Sequence, residues 1–293
     1  MGMLEYALLA GILFGLYFGL LALGLNLIFG VMKIVNLAHG DFLMLGAYGA
    51  WILFRDFHVN PLVTLFAEVA LFVIAGLPIY YLLVPRLQAT RDPEMLSLIL
   101  FFGLSQVIEA LATLGFGSSE RSIPSSELGS GPVTLLGQTF PAAWVISGTI
   151  SILAVAAIYL YLYRTRIGQL TRAVMAQREE ALSTGINVQR ISALAFGIGI
   201  AVAAAAGVLS PFMMGSITPA MGVGVTITSF AIIVMGSLGN PLGTVAGGII
   251  YGIALMFMQT YFSSWANLLP YLLLIAILLV RPTGLFGRRT RNA

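Results

Sequence analysis

The chain has 293 residues, 59% of them hydrophobic and 9% charged, with a mean hydropathy of +0.99 and a net charge of +3. A soluble domain carries about 25% charged residues, so 14 Lys and Arg with 11 Asp and Glu cannot coat a water-soluble body of this size. At about 20 apolar residues per helical span, the composition describes an all-α, polytopic transmembrane bundle, residues 1–293 forming a single unit.

The remaining composition is mostly exclusion. There are no cysteines, which removes disulfides, thiolate metal sites and a Cys nucleophile. The excess of basic residues marks a cytoplasmic membrane face and not a nucleic-acid partner. The first apolar run follows Glu5 and is too long for a signal-peptide core, so it is expected to be a retained span.

Apolar runs fall near 6–31, 34–54, 62–84, 95–115, 142–163, 191–213, 223–238, 242–261 and 267–280. They predict about nine spans, within a range of eight to ten. With the N-terminus outside and the C-terminus inside, Lys33, Arg86, Arg91, Arg164, Arg166, Arg172, Arg178, Arg190, Arg281, Arg288, Arg289 and Arg291 all fall inside. Only Arg55 and Arg121 fall outside, a strong positive-inside asymmetry. Two runs, 34–54 with its Asn36, His39 and Asp41 and the short 223–238, are expected to be broken or re-entrant. Such backbone is tolerated only inside protein or beside a water-filled cavity. Two Gly/Pro-interrupted regions, 36–46 and 236–248, hint at two related halves. The rows Gly11/Gly15/Gly19 and Gly239/Gly243/Gly247 provide small-residue faces for helix contact, within the bundle or at a subunit interface.

Two hydrophilic loops interrupt the pattern. The outer loop 116–141 is rich in Ser, Gly and Pro and carries Glu120, Arg121 and Glu127. It is large enough for a docking surface and too small for a binding domain. The inner loop 164–190 concentrates both signs of charge. It predicts a short helix from about Thr171 to Thr184, capped by Thr171 and ended by Gly185.

Self-contained catalysis finds no support. A phosphate-binding loop needs G-x-x-x-x-G-K-[ST], and the one lysine, Lys33, lies in GVMKIV. Two histidines, His39 and His58, offer no metal-site spacing, and no serine elbow is present. The chain is therefore expected to have no intrinsic enzyme activity and to bind no metal or cofactor. Ionisable groups within the spans are the alternative carriers of function. His39 and Asp41 flank Gly40, where Asp41 either caps a helix start, relays protons or touches a substrate. Gln106 and Glu109 lie one turn apart on a helix that either lines a pathway or meets another polar helix. Asn26, Asn240 and Gln259 suit interhelical hydrogen bonds.

Residues 19–48, GLLALGLNLIFGVMKIVNLAHGDFLMLGAY, resemble the LivH-type permease subunits of branched-chain amino acid ABC importers. The resemblance continues through 172–190, GSLGNPLGTVAGGIIYG at 236–252 and RPTGLFG at 281–287. It thus spans essentially the whole chain. Glu179, Ala181 and Gly185 match the E-A-A-x-x-x-G motif of importer permeases, with Glu180 in place of one Ala and without the downstream I-x-L-P.

The resemblance implies a bacterial inner-membrane permease that pairs with a second homologous permease, two ATPase subunits holding ATP and Mg, and a periplasmic substrate-binding protein. It assigns the ATPase contact to Arg172, Arg178, Glu179, Glu180, Ala181 and Gly185. Binding-protein docking falls to Glu120, Arg121 and Glu127, and the translocation pathway to the neighbourhood of Asn36, His39, Asp41, Gln106, Glu109 and Asn240. Urea, amide or small aromatic acid permeases of the same family are alternatives in substrate. A proton-coupled secondary transporter using His39 and Asp41 is the alternative in class, and a purely structural membrane subunit is a third.

Overall fold

A computed structural model describes residues 2–287; Arg288, Arg289 and Arg291 lie outside the described residues. The helices are α1 (Gly2–Met32), α2 (His39–Phe57), α3 (Pro61–Gln88), α4 (Pro93–Phe116), α5 (Ala142–Arg164), α6 (Arg166–Ala176), α7 (Arg178–Ser183), α8 (Val188–Met214), α9 (Met221–Gly236), α10 (Pro241–Tyr261) and α11 (Leu269–Val280). One hairpin, β1 (Pro132–Leu135) and β2 (Gln138–Pro141), sits between α4 and α5. Its two-residue turn, Leu136-Gly137, has positive φ at both positions, the conformation that matches strand twist.

Several starts follow directly from sequence. Asn60-Pro61, Asp92-Pro93 and Asn240-Pro241 each place a side-chain acceptor before a proline, and each acceptor takes an N–H of its helix, at 2.9, 3.1 and 3.2 Å. Proline lacks the N–H that a first turn cannot use, so this pairing stops one segment and starts the next. Asn187 caps α8 in the same manner at 3.0 Å.

Contacts sort the loops to two ends. At the basic end, Arg178 reaches Gln88, Leu285 N–H donates to the Met235 carbonyl, and Gly30 lies against Gly239. At the hairpin end, Tyr6 stacks on Phe140, Tyr48 stacks on Phe116, and Arg121 forms a backbone bridge with Ile217. Seven segments are long and apolar enough to cross a membrane: α1, α3, α4, α5, α8, α10 and Ser263–Val280. The other two apolar helices, α2 and α9, start near mid-depth. His39 Nε2 lies 3.0 Å from the carbonyl of Leu21, about 16 Å short of the end of α1 at 1.5 Å per residue. Gly222 packs against Gly40 and Asp41, whereas Ile217, five residues earlier, is at the hairpin end.

The segments α1–α4 and α8–α11 therefore form two inverted halves. Each has a long helix, an extended stretch that turns back to mid-depth, a helix starting there, and two further crossings. The two main contacts exchange under this relation: α1 packs on α10, and α8 packs on α3. The sequence had suggested 236–248 as the partner of the break at 36–46. The counterpart is instead 215–222, because 236–248 makes a tight turn in which Gly236 backs onto Gly243.

Glycine sets the α1–α10 distance. Gly11, Gly15 and Gly19 face Ile253, Ile249 and Val245, and Gly248 and Gly252 fit between them with room for no Cβ. Backbone contact of this kind replaces the hydrophobic drive that lipid does not provide. Asn26 crosses the same interface, donating to Thr244 Oγ1 at 2.6 Å and accepting from Gly239 N–H at 2.7 Å.

Gly252→Leu is expected to reduce the folded yield in detergent and lower the melting temperature by several degrees, since overpacking costs about 1–3 kcal/mol or more. Gly103→Leu on α4, where an added Cβ meets nothing within 4 Å, should leave both unchanged. Fluorescence-detected size exclusion with a thermal ramp reads the difference.

Candidate functional site

Two places gather the polar groups singled out in the sequence. The first is the mid-depth junction of α2 and α9. Asn36, His39 and Asp41 are all fully buried there. The chain reverses through Asn36, whose Oδ1 accepts from Ala38 N–H at 3.1 Å. The contact with the Leu21 carbonyl makes His39 Nε2 the donor, so the neutral ring carries its proton there and Nδ1 is left as an acceptor. The first turn of α2 is satisfied by backbone and by Thr226: Gly40 N–H donates to Thr226 Oγ1 at 2.8 Å, and Asp41 N–H to the Ala38 carbonyl at 3.1 Å.

Other groups at the junction are not satisfied. Among the described residues, Asn36 Nδ2, His39 Nδ1 and both carboxylate oxygens of Asp41 have no hydrogen-bond partner. Each such atom costs about 1–3 kcal/mol when buried, and more if charged. Gly222 is the floor beneath Asp41, and Gly40 abuts Gly222 and Thr226 so tightly that neither glycine has room for a Cβ. Ser105 and Glu109 of α4 neighbour Asp41.

Of the other expected pathway residues, Gln106 is exposed on α4 and Glu109 half-buried. Asn240 is far from this junction and caps α10 at the basic end. Gly222 and Thr226 went unnoticed in the sequence. The signal for Gly222 is TPAMGVG at 218–224, a proline and two glycines between apolar runs.

The second place is the helix pair at the basic end. The single helix expected from Thr171 to Thr184 is two helices, α6 and α7, broken at Gln177, which takes an extended conformation. The cap is Thr165, whose Oγ1 accepts from Gly168 N–H at 2.9 Å, and not Thr171. Thr171 is buried mid-helix, bonded to the Ile167 carbonyl and within 3.0 Å of Tyr161 OH. At the other end Gly185 has φ +83°, with Gly185 N–H donating to the Leu182 carbonyl and Ile186 N–H to the Ala181 carbonyl. That bond pair is a Schellman termination, which glycine adopts without strain.

The charges of this pair divide by direction. Arg172 turns onto its own chain, its Nε donating to the Leu162 carbonyl at 3.0 Å and its guanidinium lying 4.3 Å from the Tyr163 ring centre. Arg178 bonds Gln88 at 2.7 Å and Ser192 at 3.4 Å, joining α7 to α3 and α8. Burial lowers its pKa from the usual arginine value, with Tyr80 opposing. Glu179 and Glu180 are exposed, and Ala181 is buried. Beside the pair, a cavity of ≈570 Å³ is lined in part by Tyr163, Arg172, Met175, Asn240 and Phe286.

At the hairpin end Glu120 and Glu127 are exposed, while Arg121 is half-buried. Its guanidinium sits over Trp51, which also carries Arg55 at 4.3 Å.

The sequence profile of the family described as branched-chain amino acid transport system, permease component, matches residues 7–278. The chain is 29% identical to the high-affinity branched-chain amino acid transport permease LivH of Salmonella typhimurium, over 95% of this chain and 94% of the relative. It is also 29% identical to BraD of Pseudomonas aeruginosa, over 96% and 95%. A probable LivH of Methanocaldococcus jannaschii is 28% identical over 92% and 88%. No solved structure matches.

Thr226→Val is expected to leave Gly40 N–H without its acceptor and to lower the melting temperature by a few degrees. Thr226→Ser, which keeps the hydroxyl, should recover most of the loss. Equal stability of the two variants would remove this hydrogen bond from the account.

Proposed function

The chain belongs to the family of branched-chain amino acid transport system permease components, and from that premise we propose that it is the membrane subunit of an ATP-driven importer of branched-chain amino acids. It sits in a bacterial inner membrane, crossing nine times with the N-terminus outside. The basic end, which holds Lys33 and the arginines of 86–91 and 164–190, is the cytoplasmic end by the positive-inside rule.

The observation that carries this reading is the α6–α7 pair. It presents Glu179 and Glu180 outward, while Arg172 and Arg178 fasten it to α5, α3 and α8. A short helix held in this way serves as a rigid handle for a separate ATPase subunit, and force on α7 reaches the long helices through Arg178. Two ATPase subunits bind ATP and Mg and do the hydrolysis; this chain contributes no catalytic group. Binding of ATP favours one arrangement of the permease because it contacts the two arrangements differently.

The hairpin end, with Glu120, Arg121 and Glu127, receives the substrate-loaded binding protein. A second, homologous permease covers the outer face of α4, where Gly103, Gln106 and Thr113 are exposed. Gln106 has no water to bond in hydrocarbon, and a protein neighbour removes that penalty. The pathway runs between the two permeases along α4 and past the α2–α9 junction, so Gln106, Glu109, Asn36, His39 and Asp41 lie on or near it. Asn240 belongs to the cytoplasmic mouth.

The test is uptake of leucine by proteoliposomes holding the assembled complex, with the binding protein outside and ATP within. Vanadate-sensitive uptake is expected, and none from this chain alone. Gly185→Pro, which excludes φ +83° and removes the N–H bonded to Leu182, should cut uptake at least tenfold at normal membrane levels. Glu179→Lys should do the same by weakening the ATPase contact. Normal uptake in both variants would overturn the handle assignment. Uptake by the chain alone, abolished by a protonophore, would overturn the importer class.

Orientation is read separately. In the Cys-free background, Ser126→Cys should react with a membrane-impermeant maleimide in intact cells. Ser183→Cys should react only after permeabilisation.

A further inference from the structure

At the α2–α9 junction a fully buried carboxylate and an uncapped helix start face each other without bonding. Neither oxygen of Asp41 makes a well-formed hydrogen bond among the described residues, and the Ser105 hydroxyl is the side-chain donor beside it. The start of α9 has no side-chain cap, and the N–H groups of Gly222 and Val223 have no acceptor among the described residues. The start of α2, by contrast, is satisfied by Ala38 and Thr226. At their starts the two elements meet through Gly40 and Asp41 against Gly222 and Thr226, and Met221 packs on the cluster that holds Met44 and Tyr48 of α2. A side chain on either glycine would prop them apart, so it is the two glycines that let the contact close.

A partner that satisfies both sides must carry a cation and an anion a few ångströms apart. Backbone N–H groups and the positive end of the helix dipole favour the anion at α9, and Asp41 favours the cation. An amino acid zwitterion has this pattern. We infer that the Gly40–Gly222 contact is an internal gate and that, once it opens, Asp41 receives the ammonium group of the transported amino acid. This rests on the reading of the chain as an amino acid permease and deepens it. The carboxylate goes to the first turn of α9, where Val223 is already exposed. Glu109, one turn from Ser105 on α4, adds a second negative group beside the site. The apolar side chain of the substrate makes no charged demand and passes among the small and apolar residues around it.

The test uses the absence of cysteine from the chain. Ser105→Cys places a thiol next to Asp41 in the assembled complex in proteoliposomes. Without nucleotide, it should react slowly with 2-aminoethyl methanethiosulfonate, which is cationic, and with the anionic 2-sulfonatoethyl reagent. During ATP turnover the cationic reagent should react at least tenfold faster than the anionic one. Asp41→Asn should reduce that preference at least fivefold, and leucine delivered by the binding protein should slow the reaction. If Ser105→Cys does not assemble, Val223→Cys on the first turn of α9, already exposed, reads the charge preference and its loss in Asp41→Asn. Lack of modification in every nucleotide state overturns the gate, and a preference unaffected by Asp41→Asn overturns the role of Asp41. Leucine uptake by the parent complex is measured in parallel. A parent that imports leucine alongside an insensitive ratio sinks this inference alone. A parent that imports nothing sinks the permease reading on which it rests.

Discussion

Backbone that leaves a helix inside hydrocarbon must find its hydrogen-bond partners in protein, and this chain leaves its helices twice near mid-depth. The rest of the architecture follows from enclosing those two breaks. The extended stretches before α2 and α9 lie within a frame made by α1 with α10 and α8 with α3. That frame can be close-fitting only because Gly11, Gly15, Gly248 and Gly252 let the first pair touch backbone to backbone. Gly76 and Gly197 do the same for the second pair. Remove the glycines and the frame widens, and the breaks lose the walls that supply their donors and acceptors. The carbonyl of Leu21 bonded to His39 is one such wall contribution, made from the middle of an intact helix.

Enclosure is not the same as satisfaction. The junction meets the needs of α2 and leaves those of α9 and of Asp41 unmet, although Asp41 and Gly222 are both buried. Asn26 is a useful contrast in the same fold. It too is a fully buried polar side chain in the bundle, and both ends of its amide are bonded, to Thr244 and to Gly239. A polar residue whose task is to hold helices together looks like Asn26. Asp41 lacks partners where Asn26 has them, and that asymmetry separates a site from a fastener.

Much of this was legible in the sequence, and the reasons are local. Asn-Pro and Asp-Pro pairs announce α3, α4 and α10 because cap and proline act on adjacent residues. Gly185 announces the end of α7 because only a residue at ease with positive φ ends a helix in that way. The shortness of 223–238 and the Asn36, His39 and Asp41 of 34–54 mark these two runs as different from the others. What escaped detection depends on distant partners. Nothing near Gln177 signals a break, since neither glycine nor proline is present. The inward turn of Arg178 depends on Gln88, ninety residues earlier in the chain. The start of α9 at mid-depth carries no charged residue, so hydropathy alone drew the eye to the glycines of 236–248 instead.

The inverted relation of the halves gives these details a common logic. Opposite orientation brings the starts of α2 and α9 to one depth from opposite ends, so two positive helix ends converge in the interior. Convergence of that kind favours an anion, and the chain places one there itself, in the first turn of α2. Asp41 thus reduces the field that would otherwise repel a cationic group, while the unbonded first turn of α9 keeps its attraction for an anionic one. A uniformly positive junction would hold an anion and exclude an ammonium group; a uniformly negative one would do the reverse. Placing a carboxylate on one of two opposed helix starts makes the interior bipolar, and a zwitterion requires an environment of that kind to leave water without losing either charge's stabilisation.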